Sequence, residues 1–260
     1  MGQHAKVAVV SGAASGLGRL SSDRLHAAGA RVAVLDIDED RLAGSFAGRA
    51  NFHPFVCDVT DERRVRQVVE EIEHNLGPIH RVVHAPAIMP GGGLLEQGAE
   101  VARRVMRINY DGAVNMVNAT LPGMLERRRG EWICFGSVAG FALTPGLGAY
   151  CASKAALNAY FETLIHETAG RGVVVHLTCP PMVDTPLIAQ AMGLKSFQVM
   201  TAKKLLAPPD KVLDAIDAAV ARGESISFPL PMAKWLYAMR RVAPSLLWRV
   251  IERSGSPTSS

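Results

Sequence analysis

The 260-residue sequence predicts an α/β fold, in which a doubly wound parallel sheet of about seven strands carries helices on both faces. Short β-branched runs alternate along the chain with longer helical patterns. The runs are apolar on both faces, as is typical of strands buried in a parallel sheet. The length suits one sheet-centred domain, and the hydrophobic fraction of 48% is large enough for a core.

The elements follow in order along the chain. The predicted strands are Val7–Val10, Arg31–Leu35, Phe52–Val56, Arg81–Ala85, Trp132–Gly136, Val173–Cys179 and Ser225–Phe228. The predicted helices are Leu17–Ala28, Asp61–Asn75, Val101–Leu125, Tyr150–Ala169 and Asp210–Ala221. Gly29 is predicted to end the first helix, and Thr60 to cap the second. Ligands of such sheets bind outside the carboxyl ends of the strands.

The sequence predicts one main domain over residues 1–230. Within it, the apolar insertion 186–209 follows a strand and is interpreted as a substrate lid. Residues 231–253 form a basic, apolar C-terminal extension, which Pro244 is expected to divide into two short helices. Residues 254–260 are expected to be a flexible tail.

Charge is distributed unevenly between these parts. Residues 1–230 carry 23 basic and 23 acidic residues, whereas residues 231–260 carry five basic residues and one acidic residue. The balanced domain gives no reason to expect nucleic acid as a partner. For the extension, packing on protein is the favoured interpretation, and peripheral contact with a membrane is the alternative.

The four cysteines indicate the compartment. Cys57, Cys134, Cys151 and Cys179 show no CxxC spacing and no pairing with histidines, so they are interpreted as core residues in a reducing environment. No metal site is expected. With no signal peptide pattern and no spanning apolar run, a cytoplasmic location is predicted.

A glycine-rich turn follows the first strand. Gly12, Gly16 and Gly18 let the backbone turn tightly and approach a pyrophosphate without a Cβ clash. The following helix presents free N–H groups to an anion. The turn, which includes Ser15 and Leu17, therefore predicts a dinucleotide site.

An acidic residue closes the second strand. Asp36 lies 18 residues after Gly18, near the spacing expected for a carboxylate that binds the ribose hydroxyls of a dinucleotide. That carboxylate would repel a 2′-phosphate, and the neighbouring Ile37 brings no cation. The sequence therefore favours NAD over NADP.

The reactive group is predicted around one tyrosine. Tyr150 and Lys154 are four residues apart in a helical pattern and so share a face. A neighbouring ammonium lowers the pKa of a phenol, which could then move a proton at a carbonyl or alcohol oxygen. Ser137, at the end of the fifth strand, can hydrogen-bond the same oxygen.

Together these motifs resemble the short-chain dehydrogenase/reductase family over about residues 5–230. The resemblance implies a Rossmann-type sheet and an NAD-type, single-domain enzyme. It implies catalysis by Asn109, Ser137, Tyr150 and Lys154, with Asn109 holding a water of the proton relay and Lys154 also binding the nicotinamide ribose. The expected cofactor-binding residues are Gly12, Ser15, Gly16, Leu17, Gly18, Asp36, Ile37, Asp58, Val59, Ala85, Pro86, Ala87, Ile108, Tyr150, Lys154, Pro180, Val183 and Thr185.

Two segments depart from the family pattern. His84-Ala85-Pro86-Ala87 stands where the family has Asn-Asn-Ala-Gly, and Pro181 replaces a glycine on the nicotinamide side. Pro86 removes a backbone donor, which implies weaker or altered cofactor binding. His84 is interpreted as structural, because the acid–base role falls to Tyr150.

The residues predicted to surround the substrate are mostly apolar: Ser137, Leu143, Tyr150, Met182 and Met192. The sequence thus predicts an oxidoreductase that interconverts a hydrophobic secondary alcohol and its ketone with NAD(H). An NADPH-dependent carbonyl reductase and a weakly active or inactive dinucleotide-binding regulatory protein are the alternatives. Core or oligomer contact explains the apolar lid equally well. The resemblance implies a homodimer or homotetramer, built partly on the helices Val101–Leu125 and Tyr150–Ala169.

Overall fold

A computed structural model describes residues 6–203 and 206–255. Within them the chain forms seven strands: β1 Val7–Ser11, β2 Arg31–Asp36, β3 Phe52–Val56, β4 Ile79–His84, β5 Gly130–Phe135, β6 Val173–Thr178 and β7 Ile226–Ser227. All pair in parallel in the order β3-β2-β1-β4-β5-β6-β7, which confirms the predicted fold class. The strand order reverses between β1 and β4, the point where such sheets bind ligands.

Helices cover both faces of the sheet. They are α1 Gly16–Ala27, α2 Glu39–Phe46, α3 Glu62–Leu76, α4 Leu94–Met106, α5 Gly112–Glu126, α6 Gly148–Glu167, α7 Lys195–Ala202, α8 Pro209–Ala221, α9 Pro231–Val242 and α10 Pro244–Gly255. Residues of α3, α5 and α6 pack against one face around Trp132, which is fully buried. Residues of α1, α2 and α8 pack against the other face around Val34.

Three local features differ from the sequence prediction beyond small shifts of the element ends. The side chain of Asp61, and not that of Thr60, caps α3 by accepting from the backbone N–H of Arg64. Helix α2 was not predicted; Asp38 caps it in the same way. The predicted helix over 101–125 contains a π-helical turn, Arg107–Asp111, between α4 and α5. Gly29, at φ +84°, follows the end of α1 as predicted.

The lid and the extension both pack on the domain. In the lid, a 3₁₀ turn (Pro186–Ala191) and α7 build a small apolar cluster with Leu147 and Tyr150. In the extension, Pro244 begins α10, while Ala233 and Leu247 are buried. The predicted tail 254–260 begins inside α10, and 256–260 lie outside the described residues. None of the helices described here has the length and apolarity needed to cross a bilayer.

Candidate active site

In the turn after β1, the position of Gly18 has room only for glycine. A Cβ on Gly18 would lie 2.1 Å from the carbonyl oxygen of Gly12. Gly12 and Gly16 adopt backbone φ angles of +69° and +53°, which residues with a Cβ rarely adopt. The side chain of Ser15 does not cap α1, so the N–H groups of its first turn remain available to an anion.

This turn opens into a cavity of about 1300 Å³ at the carboxyl ends of the strands. Every residue predicted to bind the cofactor lines it: Gly12, Ser15, Gly16, Leu17, Gly18, Asp36, Ile37, Asp58, Val59, Ala85, Pro86, Ala87, Ile108, Tyr150, Lys154, Pro180, Val183 and Thr185. The residues lie at the ends of six of the strands and in the loops and helices that follow them. The parallel topology therefore brings together, at one edge of the sheet, cofactor-binding residues that are far apart in the sequence.

Asp36 lies at the end of β2 with its carboxylate ordered by backbone donors. Its two oxygens accept from Ala14 N at 2.9 Å and from Asp38 N at 3.1 Å. Arg41 also lines the cavity, and its Nε lies 3.1 Å from a carboxylate oxygen of Asp38. The sequence argument considered only the residues directly beside the site, such as Ile37. It did not consider Arg41, because α2, which carries Arg41, was not predicted.

Three side chains meet at the other end of the cavity. Ser137 follows β5, and its hydroxyl lies beside the phenol of Tyr150 on α6. Lys154, one turn further along α6, donates from Nζ to the carbonyl of Phe135 at 2.8 Å. That Nζ lies 5.9 Å from the centre of the Tyr150 ring. Ser137, Tyr150 and Lys154 are all buried and all line the cavity.

Burial governs the protonation of this group. It raises the pKa of Tyr150 to about 12, although the hydrogen bond with Ser137 lowers it in part. Burial also lowers the pKa of Lys154. The sequence argument expected the ammonium to lower the phenol pKa, but desolvation outweighs that effect here. Tyr150 therefore holds its proton at neutral pH and can donate it to an oxygen anion.

Asn109 lies behind the cavity, and not in its wall. Within the π-helical turn it is fully buried; its Oδ1 accepts from Ile88 N at 2.8 Å. Its Nδ2 donates to Ile88 O and to Ser153 Oγ, both at 3.0 Å. The Ser153 hydroxyl in turn donates to the carbonyl of Tyr150 at 2.8 Å. Asn109 thus joins the loop after β4 to α6, and π turns are frequent at functional sites.

The segment that departs from the family pattern is accommodated by its neighbours. His84 is buried, and its Nδ1 lies 2.8 Å from the hydroxyl of Ser11, so the ends of β4 and β1 are tied together. Burial, with a contribution from Lys154, lowers the pKa of His84 to about 3. Pro86 packs against the turn at Gly12, where a Cβ would lie 2.7 Å from the proline nitrogen.

The predicted substrate residues divide into two groups. Ser137, Tyr150 and Met182 line the cavity. Leu143 and Met192 are not among the residues that line it; both are partly buried against the apolar cluster under the lid. They fill the space behind the wall, so their apolar character reflects core packing.

The lid and the extension both contribute to the wall. Leu187 and Gln190 belong to the segment 186–209 that the sequence predicted as a substrate lid, although no motif marks Gln190 itself. Met232 and Leu236 come from α9 of the extension, which was expected to pack on protein without any of its residues being assigned to the site.

The comparisons with known proteins agree with this geometry. Residues 6–193 match the family model described as short chain dehydrogenase. The chain therefore belongs to the short-chain dehydrogenase/reductase family. This family binds a nicotinamide dinucleotide, and the glycine-only contact at Gly18, the uncapped start of α1 and Asp36 fit such a group.

Individual relatives share the fold over most of the chain. "Probable oxidoreductase EphD" of Mycobacterium tuberculosis is 33% identical over 255 residues; the match covers 92% of this chain and only 43% of EphD. A short chain dehydrogenase/reductase from Burkholderia phymatum, solved with NAD, is 25% identical with a TM-score of 0.79, over 100% of this chain and 99% of its own. A short chain dehydrogenase from Burkholderia cenocepacia, solved with NADP, is 23% identical with the same TM-score, over 96% and 99%.

Proposed function

We propose that the protein interconverts a hydrophobic secondary alcohol and its ketone with NAD(H). One observation carries the proposal: Ser137, Tyr150 and Lys154 meet at one end of a cavity whose other end is the glycine turn and Asp36. A reactive oxygen and a dinucleotide would then share one enclosed space. The wall between them is largely apolar, which supports an apolar substrate.

The residues of the site divide the chemistry between them. When bound, the dinucleotide exchanges a hydride with the substrate carbon. The Ser137 hydroxyl holds the substrate oxygen beside the phenol of Tyr150. Tyr150 donates its proton to the carbonyl oxygen during reduction, and its phenolate takes the alcohol proton during oxidation. The ammonium of Lys154 stabilises that phenolate, and the lid excludes water.

Replacement of the phenol tests the acid–base role. Tyr150→Phe should lower turnover of apolar secondary alcohols by at least about 100-fold while NADH binding persists. Tyr160→Phe is the matched control: Tyr160 lies on the same helix outside the cavity wall. Activity that survives Tyr150→Phe contradicts the role given to Tyr150. NADH binding by the wild-type protein without turnover of any alcohol or ketone would favour the regulatory alternative.

A second candidate is an NADPH-dependent carbonyl reductase, which the position of Arg41 in the cavity wall favours. The carboxylate of Asp36 opposes a 2′-phosphate and supports NAD. Titration with NADH and NADPH, followed by nicotinamide fluorescence, decides between them. Tighter NADH binding supports the first proposal, and Asp36→Ala should then reduce the preference. Tighter NADPH binding that Arg41→Ala abolishes would establish the second.

A further inference from the structure

The outward face of the extension carries an apolar stripe that the described part of the chain leaves exposed. Met232, Trp235 and Val242 recur at helical spacing along α9 and are 53%, 49% and 83% exposed. Leu246, near the start of α10, is 49% exposed. We call these four residues the outer stripe. They account for nearly half of the large hydrophobic side chains that are exposed in the described structure.

The opposite face of α9 already has a partner. Ala233 is fully buried against the domain core, and Leu236 packs against the same core. The ring of Tyr237 packs edge-on against Phe141, with centroids 4.7 Å apart. Because these contacts anchor α9 to the domain, the outer stripe is presented to the outside on a fixed helix.

Basic residues border the outer stripe. Lys234 and Arg241 are exposed, and at the spacing of an α-helix they lie on one side of the stripe. Arg241 lies 3.6 Å from a carboxylate oxygen of Glu162, which partly neutralises its charge, so Lys234 is the main cation on this side. Arg249 is exposed on α10. Residues 231–260 hold the entire positive excess of the chain, five basic residues against one acidic, while the other 230 residues are balanced. The surface is therefore apolar at its centre and cationic at its edge.

We propose that the outer stripe docks the protein on the surface of an anionic phospholipid bilayer. Trp235 and its apolar neighbours would enter the boundary between headgroups and acyl chains, and the exposed Lys234 would meet lipid phosphates. Helix α9 has 12 residues, about 18 Å, so it lies in the plane of the membrane and cannot span it. The net positive charge of residues 231–260 favours an anionic surface as the partner over a second copy of the same face.

Docking would place the cavity beside the membrane. Met232 belongs to the outer stripe and also lines the cavity, as does Leu236 on the next turn. An apolar alcohol or ketone dissolved in the bilayer would then reach Tyr150 without crossing water. This step rests on the proposed function, whereas docking itself does not.

Vesicle flotation tests the docking. The full-length protein should float with vesicles of phosphatidylcholine and phosphatidylglycerol, and much less with phosphatidylcholine alone. Trp235→Ser should weaken binding by at least about tenfold, and Lys234→Glu by about fivefold or more. Leu95→Ser is the matched control, because Leu95 is 100% exposed on α4, away from the extension; it should bind as the wild type does.

Two results would overturn the proposal. One is equal flotation of wild type and Trp235→Ser. The other is a dimer, seen by analytical ultracentrifugation, that Trp235→Ser dissociates while no vesicle binding occurs. Activity separates this proposal from the proposed function: Trp235→Ser should raise KM for a substrate dissolved in vesicles and leave KM for a short, water-soluble alcohol unchanged. Flotation without turnover of any alcohol would retain the docking and reject the proposed function.

Discussion

The side-chain amide of Asn158 donates a 2.9 Å hydrogen bond to the backbone carbonyl of Ser137. Asn158 is almost fully buried on α6, one turn beyond Lys154. A Cβ on Gly136 would lie 2.3 Å from its side-chain oxygen, so the strand end and the helix pack closely here. Asn158 therefore fixes the position of Ser137 relative to Tyr150, although it is not part of the cavity wall.

Asn158→Ala should lower kcat by about tenfold while the Kd for NADH stays within about twofold, because an unpaired buried carbonyl lets Ser137 shift. Asn115→Ala is the matched control. Its Nδ2 makes an equivalent 2.9 Å bond to the carbonyl of Val59, at the dinucleotide end of the cavity. That variant should weaken NADH binding more than it lowers kcat. Equal effects of both changes on both constants would contradict a positioning role for Asn158.

Acid should destabilise the protein through His84. Burial lowers the pKa of His84 to about 3, so between about pH 6.5 and pH 3 the unfolded chain binds a proton that the folded chain does not. The free energy of unfolding therefore decreases as the pH is lowered through this window. From pH 7 to pH 5 the loss from this residue is about 2 kcal/mol.

His84→Asn removes the titrating group and leaves an amide that can still bond the Ser11 hydroxyl. Urea unfolding of both proteins at pH 7 and pH 5 measures the difference. The stability gap should change by about 2 kcal/mol in favour of the variant on acidification. An unchanged gap would show that His84 does not stay neutral in the folded protein.

The sheet was predicted correctly because each strand has a recognisable pattern in the sequence. Each buried strand is a short apolar run bounded by polar or glycine-rich turns, and its length and β-branched residues distinguish it from a buried helix. The glycine turn, Ser137, Tyr150 and Lys154 were found because each motif has a fixed local spacing. The topology then brings these motifs to one cavity.

Other features depend on tertiary contacts that have no local signal. Helix α2 has only eight residues and was not predicted, so Arg41 was missed. The pKa of Tyr150 follows from burial, which the spacing of Tyr150 and Lys154 does not reveal. Leu143 and Met192 are apolar because they pack against the apolar cluster under the lid. Composition does not separate such residues from those that face a substrate.

Gly18→Ala should disable the dinucleotide end. The added Cβ would lie 2.1 Å from the Gly12 carbonyl oxygen, so the turn must move away from its present position. NADH binding should weaken by at least about tenfold, and stability should fall by about 1–3 kcal/mol. Gly44→Ala on α2, where a Cβ meets nothing within 4 Å, should instead stabilise slightly. Fluorescence titration and thermal unfolding measure both effects, and normal NADH binding by Gly18→Ala would contradict the geometry.

Gln190 should hold the lid in place over the cavity. Its Oε1 accepts from Met89 N at 2.8 Å, and its carbonyl accepts from Gly91 N at 3.0 Å, so one residue joins the lid to the loop after β4. Gln190→Leu should raise KM for the alcohol several-fold without changing the Kd for NADH. Gln198→Leu is the control, because that side chain bonds only within the lid, to Met192 O, and lies outside the cavity wall. Equal changes of KM in both variants would contradict a specific role for Gln190, because they would reflect a general loosening of the lid.

The pH dependence of the two reaction directions should differ because of the state of Tyr150. With its pKa raised to about 12, the phenol keeps its proton across the neutral range, so ketone reduction should be nearly independent of pH from about 6 to 9. Alcohol oxidation needs the phenolate, whose fraction grows about tenfold per pH unit below the pKa, so log kcat/KM should rise with a slope of about 1. Ser137→Ala removes a hydrogen bond that lowers the pKa, so oxidation by that variant should require still higher pH. Steady-state rates in both directions provide the test. A plateau in oxidation below about pH 8 would show that Lys154 overcomes the burial of the phenol during turnover.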